Sequence, residues 1–555
     1  MKKFIQNMLD IFKYTPENNY NFNMSPNTNQ NNSDNLQPLE NLDNTVYTNL
    51  NQNLKYLKSK YNQSINSDIK IRDFYLVIKN VKYKAFLIYI DGMSDTLSIN
   101  KFIMQPLMKY NSFNTTNPII KPNIKKLNNK NENKLADFVY SNLIPQNDIV
   151  KSNNFKEIIS SINLGNCGLF IDSINTCFIC DVKGFEKRNI NSPKNENVIR
   201  GSQEAFVEAI RTNTSIIRRL VNNENLIIED TTIGKISQTK CAICYLKDVA
   251  NDSLVDEIKY RINNIDIDYI LSSGQLEELL KEHSNSSLPE TLSTERPDRV
   301  AKSILNGKVA ILVNGTPICL VAPCVFLDLL ETVEDYNINF KFANLLKFVR
   351  LLACFISILL PGLYIAITGF HEELIPTELL FSIISSRQAV PIPIALEILI
   401  MEVAFELIHE AGIRVPSPIS STMSIVGALV LGDAAVSANI VSPISIIIVA
   451  ISGLTSFAVP NFTLELHFRI LKFIFIFLGL IFGFLGISLG LFIYIGTIAN
   501  YSSFSVPYLA PYVPLFDVKD NGYFLSPIWK QEKRNDYLKT KRKYKQSIIS
   551  MKWKK

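Results

Sequence analysis

The chain has 555 residues, with Lys+Arg 57 against Asp+Glu 51 and a formal net charge of +6. A charge this balanced excludes a dedicated nucleic-acid binder unless the cations cluster, and the length suggests about three or four domains. Hydrophobic residues at 47% and a mean hydropathy of +0.10 average over a polar part and a very apolar part, which excludes a simple soluble globule.

Residues 1–66 are rich in Asn and poor in large apolar side chains. Such a segment buries too little area to offset its ordering entropy, so disorder is expected. The first residues carry Lys2 and Lys3, but Gln6, Asn7 and Asp10 break the apolar run that a signal peptide needs. The region that follows is therefore expected in the reducing cytoplasm. The eight cysteines are too few for a secreted disulfide framework in a chain this long.

Residues 67–190 read as a first α/β subdomain. DFYLVI and AFLIYIDG alternate as strands do, and GLFIDSINTCFICDVKG reads as two strands turning near Ser173 to Asn175. Residues 191–341 read as a second. AFVEAIRTNTSIIRRLVNN has helical periodicity, LIIEDTTIG and KCAICYLKDVA are strand-like, and KVAILVNGTPICLVAP is a strand pair turning at Asn314-Gly315. Cys177/Cys180 and Cys241/Cys244 have the C-x-x-C spacing of zinc sites. In a strand, however, residues i and i+3 point to opposite faces, so buried core thiols are expected instead. No nucleophile–base spacing and no phosphate-binding loop is present, which argues against an enzyme.

Residues 342–500 read as a helical membrane domain of four to six helices. KFVRLLACFISILLPGLYIAITGF exceeds the roughly 20 residues needed to span a hydrocarbon core of about 30 Å. Residues 419–457 read as two helices, with a turn near Asp433, Asn439 and Pro443. FIFIFLGLIFGFLGISLGLFIYIGTIAN reads as one further span, whose Gly479, Gly483, Gly486 and Gly490 predict close helix packing. LIPTELLFSII and IPIALEILIMEVAFELI are weaker segments. Lys341, Lys347 and Arg350 at one end and a basic cytoplasmic tail over 501–555 at the other put both ends in the cytoplasm. That requires four crossings, or six if both weak segments cross. With six, Arg414 and the His467/Arg469/Lys472 group fall outside.

Glu397, Glu402, Glu406 and Glu410 lie in or near one apolar stretch, and Glu402, Glu406, His409 and Glu410 share a helical face. Asp433 lies between spans. Two readings stand. Either the stretch crosses, and Glu397, Glu402, Glu406 and Asp433 line a cation-attracting path, or it lies flat at the interface with its acids in water.

Several motifs resemble the A subunit of GerA-type spore germinant receptors. They are Val198-Ile199-Arg200-Gly201, Thr294-Glu295-Arg296-Pro297-Asp298, the run from Asn306 to Pro317 with Gly315-Thr316-Pro317, and Glu334-Asp335-Tyr336. Pro361 in LPGLY, Pro376 in PTELL, His409-Glu410-Ala411-Gly412-Ile413-Arg414, and Pro507 in VPYLAP continue the series in family order. Ser202-Gln203 and Ala205 depart from the family's usual residues after Arg200-Gly201. The resemblance implies two small cytoplasmic α/β subdomains followed by a polytopic α-helical transmembrane domain. It implies a multi-pass protein of the bacterial spore inner membrane, embedded in lipid. It also implies a transporter-like B subunit and a lipoprotein C subunit as partners, homo-oligomers, and a nutrient-gated ion-conducting path in signal transduction. No enzyme activity, cofactor, metal or nucleic acid goes with it. A secondary transporter or a non-conducting scaffold is the alternative function.

Overall fold

Alternation in the polar half folds into two sheets. In the computed structural model the described residues are 22–25, 45–78, 81–109, 135–146, 148–184, 192–193, 195–414, 432–516, 522–546 and 553. They fall into two units, one of residues 17–284, 291–323 and 532–555, the other of 1–16, 285–290 and 324–531.

The first unit begins with α1 (Leu50–Lys60), whose N-cap Asn49 accepts a hydrogen bond from Asn51 N. Strands β1 (Ile69–Ile78), β2 (Val81–Ile90), β3 (Ile149–Ser152), β4 (Cys167–Ile171) and β5 (Cys177–Cys180), with α2 (Phe155–Asn163) before β4, complete its first part. The sheet order is β1-β2-β4-β5-β3, and every pairing is antiparallel. Both faces are covered, one by α1 and α2 through Leu50, Leu57, Phe155 and Ile158, the other by the helical residues 96–109 and 135–143 through Ile103, Leu107 and Val139. Cys177 belongs to the first core and Cys180 to the second, so this pair does point to opposite faces. Burial pushes the Cys180 thiol up to about 12.

The expected disorder over 1–66 is corrected for residues 45–66. Leu50, Leu57 and Tyr61 are buried there against the first sheet. Their sparse apolar content suffices because Leu50 and Leu57 share one helical face, Val46 and Tyr61 flank it, and the sheet supplies the partner surface. Residues 1–21 and 26–44 lie outside the described residues.

A second part of the same unit repeats this plan. It comprises α3 (Ile210–Leu220), β6 (Leu226–Ile233), β7 (Thr239–Leu246), α4 (Asp252–Asn263), α5 (Ser273–Leu280), β8 (Leu292–Thr294), α6 (Pro297–Leu305), β9 (Val309–Val313) and β10 (Cys319–Ala322). Its order β6-β7-β9-β10-β8 is the first sheet's order advanced by five. A helix precedes each sheet, a helix precedes the third strand in sheet order, and a tight turn links the last hairpin. The shared order makes the polar half a duplicated α+β module, which the diverged side chains conceal in sequence. Residues 66–68 join the two copies at an edge strand: Ser67 N donates to Ile228 O at 3.0 Å and Ile228 N to Asn66 Oδ1 at 2.9 Å.

The basic tail is likewise not a free extension. Lys541 N donates to Val249 O at 3.0 Å, and Lys541 Nζ lies 2.5 Å from Asp252. Arg542 pairs with Asp248 at 3.0 Å, and Arg534 Nε donates to Leu305 O at 2.9 Å. Basic groups thus meet carboxylates at the start of α4 and a carbonyl at the C-terminal end of α6, where carbonyls lack helical partners. Upstream, Ser502-Ser503 pairs with Val506-Pro507, and Tyr508 is buried in the other unit.

That second unit is helical: α7 (Phe340–Phe370), α8 (Thr377–Arg387), α9 (Ile394–Arg414), α10 (Pro443–Ser456) and α11 (Phe462–Ala499). Only α7 and α11, among the described residues, combine span length with sufficient hydropathy. α8 has 11 residues, which is too short for a hydrocarbon core. α9 has 21. Residues 432–437 are helical, and Ser442 caps α10 with Pro443 at its first position. Residues 415–431, where part of the 419–457 run falls, lie outside the described set.

The last apolar run, expected as one span, is a hairpin. Gly483 has φ 58 and ψ −139 inside α11, a conformation disfavoured for side chains other than glycine's. His467 Nε2 consequently lies 3.1 Å from Tyr494 Oη, whereas a straight helix would part these residues by about 40 Å. Gly486 and Gly490 let the returning arm pack on Leu478 and Phe475.

Contacts fix the helix directions. Gly362 meets Phe475 and Gly479, and Phe370 meets Gly483, so α7 and the first arm run parallel. Ser452 reaches Ser357 and Ile444 packs near Tyr364, so α10 runs opposite to α7. α9 runs opposite to the first arm, because Glu402 meets Lys472 and Glu406 meets Arg469. Arg414 therefore lies toward the Phe340 end of the bundle. Six crossings would put Arg414 and the His467 group at the end opposite Phe340; both lie toward the Phe340 end, because α8 is too short to cross and the last run folds back on itself.

Candidate functional site

Apolar helices that carry charge must pair it, and this bundle does so along one seam. Glu402 on α9 and Lys472 on α11 are buried, with Oε2 and Nζ 2.5 Å apart. One turn on, Arg469 Nη1 lies 3.1 Å from Glu406, its Nη2 lies 2.9 Å from His409 Nε2, and it pairs with Glu465 of its own helix. Toward the other end, buried Glu397 lies 3.4 Å from Arg387 of α8 and accepts from Ser442 N at the start of α10. Residues 397, 402 and 406 span nine positions of α9, about 13 Å, and each meets a cation from a different turn or helix.

The seam holds four carboxylates (Glu397, Glu402, Glu406, Glu465) against three cations (Arg387, Arg469, Lys472). Glu397 Oε2, Glu402 Oε1, Tyr364 Oη and His409 Nδ1 are buried without a hydrogen bond. Of the residues singled out from sequence, Glu397, Glu402 and Glu406 come together here. Glu410 does not: it pairs with Arg414 in solvent, at 2.6 Å. Asp433 is exposed. Sequence reasoning used Lys472 and Arg469 for topology alone and passed over Glu465 and Arg387. Their signal was the spacing 465, 469, 472 set against 402, 406, 409, which puts opposite charges on two facing helical stripes.

Close helix contact frames the seam. A Cβ on Gly479 would lie 2.6 Å from Gly362 O, and one on Gly362 would lie 2.7 Å from Phe475 O. Pro361, buried in α7, has no N–H for Ser357 O four residues earlier; Ser452 Oγ donates to that carbonyl at 3.3 Å instead. At the Phe340 end, Lys347 is sealed between Glu331 at 2.8 Å and Tyr523 O at 2.9 Å, and Arg350 meets Asp335 at 3.0 Å. Two of the three cations flanking α7 are thus neutralised where the apolar run begins.

The motif residues of the α+β unit form a second, structural cluster. Arg296 is fully buried and donates to Glu196 O at 2.9 Å, Ser202 O at 2.7 Å and Asp298 at 2.7 Å. Glu295 accepts from Asn195 N at 2.6 Å and Glu196 N at 2.9 Å. Pro297 opens α6, as its fixed φ favours. These bonds hold the loop carrying Arg200 and Gly201, which are exposed at its tip. Gly315 has φ +90 in the β9–β10 turn, where its N donates to Glu208 O at 2.8 Å; Thr316 and Pro317 follow in the same turn. Pro376 precedes α8, and Pro507 lies in the short strand pair after α11.

The class is thus that of chains in which a pair of like-ordered α+β sheets is joined to an apolar helical bundle with buried ion pairs. The model of the Bacillus/Clostridium GerA spore germination protein family matches residues 55–537. The chain belongs to this family of spore germination proteins. It is 36% identical over 482 residues to spore germination protein KA of Bacillus subtilis (strain 168), covering 86% of this chain and 85% of that protein. It is 34% identical over 477 residues to spore germination protein GerLA of Bacillus cereus, covering 86% and 93%. A crystal structure of the N-terminal domain of the A subunit of the Bacillus megaterium spore germinant receptor GerK3 aligns at 32% identity, over 51% of this chain and 97% of that one, with a TM-score of 0.37.

Proposed function

We propose that this chain is the non-enzymatic A-type subunit of a nutrient germinant receptor in the spore inner membrane. It oligomerises and forms a gated ion path along α9, and it acts with a transporter-like B subunit and a lipoprotein C subunit. The observation that carries the path is the buried charge seam. Buried ion pairs stabilise a fold no better than apolar side chains of similar volume, and charges within a membrane segment usually mark a functional route. The topology follows from two features. The basic residues near Phe340 and in the tail keep both ends of the bundle on the cytoplasmic side, so the number of crossings is even. The hairpin at Gly483 supplies two crossings and α8 none. Nutrient binding on a partner shifts the closed–open equilibrium only as far as the partner contacts the two states differently.

The test is cation flux in liposomes holding the chain with its partners. Glu402→Gln and Glu406→Gln are expected to lower nutrient-triggered flux or change its selectivity. Unchanged conductance and selectivity in both would remove these residues from the lining.

A further inference from the structure

Each carboxylate of the seam already holds a cation, and at Glu402 that cation is a lysine ammonium. Lys472 Nζ lies 2.5 Å from Glu402 Oε2, with both side chains nearly sealed from solvent, at 4% and 0%. Glu402 Oε1 is buried, and the Ser452 hydroxyl of α10 lies beside the same carboxylate. If the Lys472 ammonium were withdrawn, the Glu402 carboxylate would be left buried without a counter-charge, and a mobile cation in its place would be electrostatically favoured.

We propose that Glu402 is a monovalent-cation site, closed in this conformation because the ammonium of Lys472, tethered on the neighbouring helix, occupies it. An ammonium and a potassium ion are similar in charge and size, so Lys472 stands in for the ion it excludes. A divalent ion would leave net positive charge buried, because only one carboxylate is freed while Arg469 and Arg387 engage the neighbouring acids. The two groups sit on different helices. A shift of α11 along α9 by about one turn, roughly 5 Å, withdraws the ammonium and leaves the carboxylate to a mobile ion.

The proposal rests on the ion-path reading for its physiological meaning, but the site can be tested without conduction. The experiment is equilibrium binding of ⁸⁶Rb⁺ to the full-length chain in detergent. Wild type is expected to bind none, Lys472→Gln one ion per chain, displaced by K⁺ but not by choline, and Glu402→Gln/Lys472→Gln none. Should the Gln variant aggregate, Lys472→Met, of similar length, takes its place. In liposomes without nutrient, the same single variant is expected to leak K⁺ at least tenfold faster than wild type. If neither well-folded Lys472 variant binds Rb⁺, the site is overturned. A wild-type chain that never conducts with its partners present, while Lys472→Gln still binds Rb⁺, overturns the ion path and leaves the site standing.

Discussion

Arg218 offers the sharpest test of how the duplicated module is joined. It is fully buried, and its guanidinium lies 2.8 Å from Asp68, which is itself 2% exposed. It also donates to Leu226 O at 3.1 Å and to Asn66 Oδ1 at 3.3 Å. Replacing Arg218 with Met leaves the Asp68 carboxylate buried without a counter-charge, which typically costs about 3–5 kcal/mol. Residues 66–68 are the ones hydrogen-bonded to β6, so the joint should open locally before either sheet melts. At about 1.4 kcal/mol per decade, amide exchange at Ser67 and Ile228 should accelerate by roughly two to three and a half decades. Hydrogen–deuterium exchange read by mass spectrometry on peptides covering 61–70 and 222–232 measures this directly. Asp68→Asn combined with Arg218→Met removes both charges and should recover much of the protection. If Arg218→Met raises exchange at these amides less than about threefold, the pair does not hold the two copies together and the reasoning fails.

Gly479→Val is expected to abolish assembly of the bundle, because even a Cβ there would lie 2.6 Å from the Gly362 carbonyl oxygen. Detergent-solubilised protein running as an aggregate would agree, and a monodisperse variant with wild-type melting would refute it. The buried thiols make a pH prediction. Burial holds Cys180 and Cys241 up near 12, while unfolded thiols ionise at about 8.5. The folded state thus keeps protons that the unfolded state releases. The stability contributed is fully present below about pH 8.5 and is lost as pH rises toward 12. The slope is about 1.4 kcal/mol per pH unit for each such thiol. Denaturant midpoints at pH 8 and pH 10 should show this loss, and Cys180→Ala/Cys241→Ala should make it shallower by those two thiols' share, the other buried thiols keeping theirs; an equally steep decline in that variant would assign it to other groups.

Strands, turns and caps were legible where local chemistry alone decides them. Alternation marked β1, β2, β4 and β5, the Asn314-Gly315 pair marked the β9–β10 turn, and strand geometry separated Cys177 from Cys180. The apolar runs marked α7 and α11, and the ordered motifs pointed to the family. What stayed hidden depended on partners distant in the chain. Leu50, Leu57 and Tyr61 look too sparse to order a segment until a sheet edge supplies the surface they cover. Gly483 reads like its neighbouring glycines until a positive φ reverses the helix. Glu402 and Glu406 were visible as acids in an apolar run, but hydropathy carries no record of which helix faces which. Composition and periodicity report the free energy a residue gains from its own neighbours along the chain. The seam, the paired sheets and the docked tail exist because residues far apart in the chain meet, as Glu402 meets Lys472 and Asp252 meets Lys541, and that is settled only when the chain packs.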